Sequence, residues 1–341
     1  MFSLGGATFG MSEESVAFIA ILLPLVLALG YDSIVAMCVT YLACNLGFSS
    51  AMLNPFTVGI GQSIAEVPLY SGVEYRTIIW FITTAVGCAF IMIYAMKIKK
   101  NPKLSPVFES DKIKHEKLKD IQSESAEFTT SHKIIVLSLF IGIGIIVYGV
   151  LKLEFWIPEI AGIFLAVGLI SGIVGKLEPN EMASAFTEGA KDMIGAAILI
   201  GFARSIMIIA QNANIIDTIL FNLSNAIGHL PSLIAAYIML PIQMFINFFV
   251  NSGSGQAALT MPILAPLGDL VGISRQLTVL IYQLGDGFSN AMFPTSGVLI
   301  ACLGIAGIPY GKWLKWIIPL QIILFICSLG FITVATLIGW A

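Results

Sequence analysis

The sequence predicts an all-α polytopic membrane protein built as an inverted repeat, with two re-entrant helical hairpins, two broken transmembrane helices and an incomplete first repeat. Three observations predict it. Hydrophobic residues make up 57% of the chain and charged residues 11%, too little polar surface for a water-soluble fold. A short pattern occurs twice: Gly10, Ser12, Glu14, Pro24 and Gly30 match Ser252, Ser254, Gln256, Pro266 and Gly272 at a spacing of 242. After a two-residue slip, Gly47, Phe48, Ser49, Ala51 and Met52 match Gly287, Phe288, Ser289, Ala291 and Met292. In both copies small polar residues and prolines interrupt apolar runs of membrane length, which is how a secondary transporter reads from sequence.

Taken in order, the stretch 1–29 is apolar except at Gly10–Glu14 and predicts the first hairpin. Residues 33–62 form the first broken span and 77–96 an unbroken one, each long enough for a hydrocarbon core of roughly 30 Å. Nine of the 17 Lys and Arg then fall between Lys97 and Lys133, in a segment without apolar periodicity. That is a hydrophilic loop, and its basic excess places it in the cytoplasm. Interleaved acids and scarce aromatics argue against a nucleic-acid arm. Spans follow at 134–152, 157–175 and 192–211, with Lys176 and Lys191 flanking a short amphipathic cytoplasmic stretch. The stretch 232–271, interrupted near its middle at Asn251–Gln256, predicts the second hairpin; 276–306 is the second broken span and 313–338 the last helix.

Counted outward from the basic loop, the segment holding Glu66 and Glu74 lies outside, and Lys312 and Lys315 fall on the cytoplasmic side beside Trp313 and Trp316 as interfacial anchors. The first tip then enters from the cytoplasm and the second from outside, so the repeats are inverted and both tips approach the midplane. The organisation expected is a partial first repeat at 1–96, the charged cytoplasmic loop at 97–133 and a second repeat at 134–341. Only nine residues precede the first tip, so the chain is expected to begin inside the first hairpin of a longer reading frame. The start lacks the basic region and cleavage site of a signal peptide.

Irregular backbone at membrane depth persists only inside protein or beside a hydrated cavity, which makes the breaks the candidate solute and ion site. Asn251, Ser252, Ser254 and Gln256 supply hydroxyls and amides at the second tip, where a resuming helix points its positive end. Ser289, Asn290, Pro294, Thr295 and Ser296 interrupt the second broken span, as Ser49, Ser50, Asn54, Pro55 and Thr57 interrupt the first. Neutral oxygens of this kind suit a hard monovalent ion or a carboxylate. Ser12, Glu13 and Glu14 at the first tip and Asp286 ahead of the second break are costly in hydrocarbon and favour a cation: a proton, Na+, or the ammonium or guanidinium of a basic solute. Arg204 either binds a carboxylate or pairs with Asp192, Asp217 or Asp286. The five cysteines read as free small hydrophobes, and no metal-ligating cluster, enzyme motif or nucleotide-binding loop is present. No resident cofactor is expected, and transport would draw on an ion or solute gradient, with Na+ or H+ as the coupling ion.

The runs FGMSEE, ALGYDS, LNPFTVGIGQ, EGAKDMIGAAILIGFARSI, NFFVNSGSGQAALTMPILAPLGDLVG, YQLGDGFSNAMFPTSGVL and GIPYGKWLKW resemble the YfcC-like branch of the C4-dicarboxylate anaerobic carrier family, within the ion-transporter superfamily. The resemblance implies an inner-membrane, multi-pass secondary carrier, a homodimer when full length, with a scaffold domain and a mobile domain carrying the hairpins and broken helices. It carries the family's polar motifs onto Ser12, Glu13 and Glu14 with Ser49, Asn54 and Thr57, and onto Asn251, Ser252 and Ser254 with Asp286, Ser289, Asn290 and Thr295. Members of this branch are described as basic amino-acid antiporters, which the acidic first tip fits better than a dicarboxylate. A C4-dicarboxylate carrier and a non-transporting shortened membrane protein are the alternatives.

Overall fold

The computed structural model describes residues 1–114, 129–153, 155, 157–215, 218, 222, 227 and 230–340. Residues 115–128 of the expected loop, Asp217, and the side chains of Asp192 and Arg204 lie outside the described residues. The described chain is helical, without a strand. Its elements are α1 (Phe2–Phe9), α2 (Ser15–Ala28), α3 (Ser33–Ser49), α4 (Ile60–Ile64), α5 (Val73–Lys100), α6 (Thr130–Lys152), α7 (Ile157–Val174), α8 (Pro179–Asn212), α9 (Ser232–Phe249), α10 (Gly253–Leu270), α11 (Arg275–Asn290), α12 (Gly297–Ala306) and α13 (Tyr310–Leu337). By length and composition α5, α9 and α13 can each cross a membrane. This is a membrane protein: Ile78, Phe81, Met92, Ile93 and Met96 of α5 are exposed apolar side chains that only hydrocarbon or another apolar surface accommodates.

Two compact units form. Residues Met1–Ile113 with Gly195–Ala341 make the first, and Lys114–Ile194 the second. In the second unit α6 and α7 pack side by side, with Val167 and Ile163 close over Gly142, and Met182 of α8 lies against Gly172. The sequence places an amphipathic stretch before a separate span at 192–211; instead α8 is one continuous 34-residue helix, because nothing after Pro179 breaks the hydrogen-bond ladder.

The first unit holds both hairpins and both broken helices, arranged by a pseudo-two-fold rule. The arm α1 crosses α3 as α9 crosses α11; α2 packs on α12 as α10 packs on α4; α5 touches α3 as α13 touches α11. The direction of each hairpin follows from α5. Its beginning, Gly72, lies against Trp340 and Gln276, and Ser274 donates to the Trp340 carbonyl, so the base of α9–α10 sits at that end. At the other end Lys99 lies over Tyr31 and Tyr94 donates to Asp32 at 2.6 Å, which fixes the base of α1–α2. The hairpins therefore enter from opposite ends of a helix about 42 Å long. Trp316 near the start of α13 packs on Phe90 and Tyr94 near the end of α5, so α5 and α13 are antiparallel.

The start of the charged segment is more ordered than its composition predicts. Helix α5 continues to Lys100, a 3-10 turn covers Pro102–Leu104, and 108–114 is helical. Asp111 accepts from the Ser33 amide (2.7 Å) and hydroxyl (2.6 Å), and Ser105 donates to Asp32 at 2.6 Å. Burial pushes the Asp32 carboxyl above the usual carboxylate range, and bonds from Ser105, Tyr94 and the Val35 amide oppose that. Two buried carboxylates thus clamp residues 101–113 onto the turn between α2 and α3.

Candidate functional site

Both hairpin tips converge on the first break. Helix α3 ends at Ser49, loosened by a π turn at Cys38–Leu42, and the chain resumes in a second π turn at Pro55–Gly59; such turns recur at functional sites. The Asn54 side chain caps the restart, accepting from the Phe56 amide at 2.8 Å. Its amide nitrogen is buried without a partner, as is the Thr57 hydroxyl. The amides of Met52 and Leu53 both donate to the Ala7 carbonyl at 3.1 Å, which ties the break to the first arm. Gly10 ends that arm at φ 77, and a Cβ there would stand 2.6 Å from Asn54 Oδ1; only glycine fits on both counts. The other tip arrives from the opposite side: a Cβ on Gly253 would stand 2.8 Å from Thr57 and 3.2 Å from Phe48.

The second tip is shorter than the sequence predicts. The break is Val250–Ser252, and Ser254, Gly255 and Gln256 already belong to the first turn of α10. Ser252 caps that helix from the Gly255 amide at 3.3 Å. Gln256 is buried and donates to the Gln243 carbonyl and side-chain oxygen, at 2.9 and 2.6 Å, clasping the two arms. Asn251 donates to Asn290 Oδ1 at 2.7 Å. Asn247, one turn before the tip, offers its amide to the Asp286 carbonyl (2.9 Å), Ser289 Oγ (2.7 Å) and Asn290 Oδ1 (2.7 Å). The structure thus brings Asn251, Asp286, Ser289 and Asn290 together around Asn247, which sequence reasoning passed over because it sits inside an apolar arm.

Asp286 is fully buried, and neither carboxylate oxygen has a hydrogen-bond partner. It precedes Gly287, where α11 crosses α3 so closely that a Cβ would stand 2.4 Å from Ser49 Cα. Asn45 secures the crossing by donating to the Gly287 carbonyl at 3.0 Å. Ser49 is buried there with its hydroxyl returned to the Asn45 carbonyl at 2.6 Å, a helix-internal bond. Beyond the second break Thr295 is buried with its hydroxyl unpartnered, and Ser296 caps α12 through its backbone only.

At the first tip the two acids differ. Glu13 is exposed, and the half-buried Glu14 accepts from the Ser12 amide at 3.0 Å, holding its own turn. Trp313 also departs from expectation. It is fully buried rather than interfacial, and its indole donates to the Ala291 carbonyl at 2.8 Å, freed by the second break. At the first break the corresponding carbonyl, of Ala51, accepts from Gln283 at 3.0 Å. Gln283 is in turn held by Arg76, a fully buried guanidinium one residue ahead of the span expected at 77–96. Gln283 lies in the run YQLGDGFSNAMFPTSGVL without being one of its break residues, and Arg76 lies in no such run; only their depth in the fold marks them.

Residues 1–337 match the family described as C4-dicarboxylate anaerobic carrier. Over 351 residues the chain is 47% identical to YfcC of Escherichia coli K12, provisionally named a basic amino acid antiporter, covering all of this chain and 69% of that protein. An uncharacterised Haemophilus influenzae protein is 33% identical over 319 residues, covering 93% of this chain and 62% of its own. Among solved structures the YdaH transporter of Alcanivorax borkumensis superposes with a TM-score of 0.54 at 18% identity, over 99% of this chain and 78% of that one, a likeness of fold.

Proposed function

Because the chain belongs to the C4-dicarboxylate anaerobic carrier family, a family of membrane transporters, we propose that it is a secondary carrier of amino acids. Basic ones such as arginine or ornithine are the foremost candidates, moved across the bacterial inner membrane by exchange or together with Na+ or H+. The observation that carries this reading is Asp286: a buried carboxylate without a donor is tolerated where a cation meets it during the working cycle. The cationic group of a basic solute, or a coupling ion, supplies that charge. The neutral groups left over at the breaks, Asn54 Nδ2 and the hydroxyls of Thr57 and Thr295, add hydrogen bonds without adding charge. The first amides of α10 favour a carboxylate.

Of the three acids expected to favour a cation, Glu13, Glu14 and Asp286, this reading rests on Asp286. The provisional name of YfcC points to the same solute class. A dicarboxylate would bring two negative charges to a site that already holds one, so cations would have to bind with it. Counterflow in proteoliposomes tests the reading: carriers loaded with unlabelled arginine should accumulate labelled arginine and ornithine and ignore succinate. Succinate uptake with no arginine exchange would overturn it.

A further inference from the structure

We propose that Arg76 binds a carboxylate of the transported solute. The inference rests on the carrier reading above and adds the second charge of the same site. Arg76 lies on the fourth residue of α5 and is 1% exposed. Burying a guanidinium without an opposing charge is expensive, and among the described residues no carboxylate lies within ion-pair distance. Neutral amides hold it instead. Nη1 donates to Gln283 Oε1, and the Trp340 ring lies 5.4 Å away. Gln276 is fixed by Gln62 at 2.9 Å and donates to Ser71 at 2.8 Å. The remaining edge of the guanidinium is nearly free: Nε is buried with no partner, and Nη2 reaches Gln276 Oε1 only at 3.4 Å. That Nε–Nη2 edge is the one that grips a carboxylate with two parallel bonds.

The second half of the protein argues that the charge is not there for folding. Trp313, also the fourth residue of its helix, satisfies the Ala291 carbonyl with a neutral indole. The equivalent task at Ala51 falls to the Gln283 amide, which is neutral too. The guanidinium behind it therefore exceeds what the break requires. Gln283, which it holds, is one turn of α11 from Asp286, about 4.5 Å along the axis. A buried cation and a buried anion placed so, and not paired with each other, are complementary to a solute carrying both signs. A carboxylate is also what a dicarboxylate would present, so the experiment must tell the two sources apart.

Purified wild-type carrier and Arg76→Gln in proteoliposomes are compared on ornithine, on putrescine (the same diamine without the carboxylate) and on succinate. Removing a charged bidentate contact should raise the KM for ornithine about tenfold or more and leave putrescine, whether carried or not, as it was. Arg76→Lys, which keeps the charge but loses the two-pronged edge, should recover part of the ornithine affinity. An equal loss on ornithine and putrescine, or equal defects in Arg76→Gln and Arg76→Lys on both, would make Arg76 structural and overturn the inference while the carrier reading stands. Wild-type uptake of succinate alone would defeat the amino-acid reading; Arg76 would survive it only if Arg76→Gln lost succinate affinity and Arg76→Lys regained some.

Discussion

At the first break the Ala51 carbonyl is held by Gln283 with Arg76 behind it, whereas at the second the matching carbonyl of Ala291 accepts directly from the Trp313 indole. Interrupting a helix in a membrane frees carbonyls that lipid cannot satisfy, so each half must supply a donor. The second half shows the least that suffices, a neutral side chain on the neighbouring helix. What either half holds beyond that minimum, the guanidinium at Arg76 and the lone carboxylate at Asp286, is not explained by holding the fold. The comparison separates residues that keep a break intact from residues that act on a solute.

The sharpest way to break this comparison is Asp286→Asn. Removing a buried acid with no partner relieves a desolvation cost, so the variant should melt at the same temperature or higher. Its transport of cationic solutes should fall by about a hundredfold or more. A variant that is less stable and still transports would show that Asp286 serves the fold. Next in size is Trp313→Phe, which keeps the ring and drops the donor. It should cost about 1–3 kcal/mol of stability through the orphaned Ala291 carbonyl and leave the ratio of ornithine to putrescine transport unchanged. Thermal unfolding in detergent reads the first effect and uptake the second; a shift in the ratio would dissolve the contrast between Trp313 and Arg76.

Gly10→Ala probes the meeting of the first tip with the first break. The left-handed backbone at φ 77 and the 2.6 Å approach to Asn54 Oδ1 together should cost about 1–2 kcal/mol. Gly253→Ala, whose neighbours Thr57 and Phe48 are side chains that can shift, should cost less. Equal losses at the two glycines would mean that the tips are held alike.

Much of this was legible in the sequence. Matched small-residue breaks at a constant spacing gave two hairpins and two broken helices, and the lysine bias gave opposite entry directions. The structure bears these out through the opposed hairpin bases, one beside Tyr31 and the other beside Ser274. What escaped were polar residues inside regular helices. Asn247 and Gln283 fall within the family-like runs but about a turn or more from the breaks, Arg76 falls outside any such run, and nothing in a linear pattern tells a buried polar group from one that faces water. Trp313 was misread for a related reason. Beside Lys312 and Lys315 it has the composition of an interfacial anchor, and only packing turns it inward to Ala291. The second tip reads a turn too long in the sequence because Ser254–Gln256 have the composition of a loop, yet Ser252 caps them into α10.

The smallest effect expected is also the one that decides which acid matters. Glu13 and Glu14 are adjacent in sequence and were the first candidates for meeting a cation, but they occupy different surroundings. Glu13 is exposed and Glu14 turns back to the Ser12 amide. Glu13→Gln should therefore reduce arginine exchange far less than Asp286→Asn does. Glu14→Gln keeps an oxygen that can accept from Ser12 and should differ little from it, losing only the extra strength of a charged acceptor. Uptake kinetics for the two variants beside Asp286→Asn give three acids in one assay. A collapse at Glu13→Gln comparable to that at Asp286→Asn would return the cation to the hairpin tip. It would mean that Glu13, three residues beyond the contact of Gly10 with Asn54, meets the cation beside the first break.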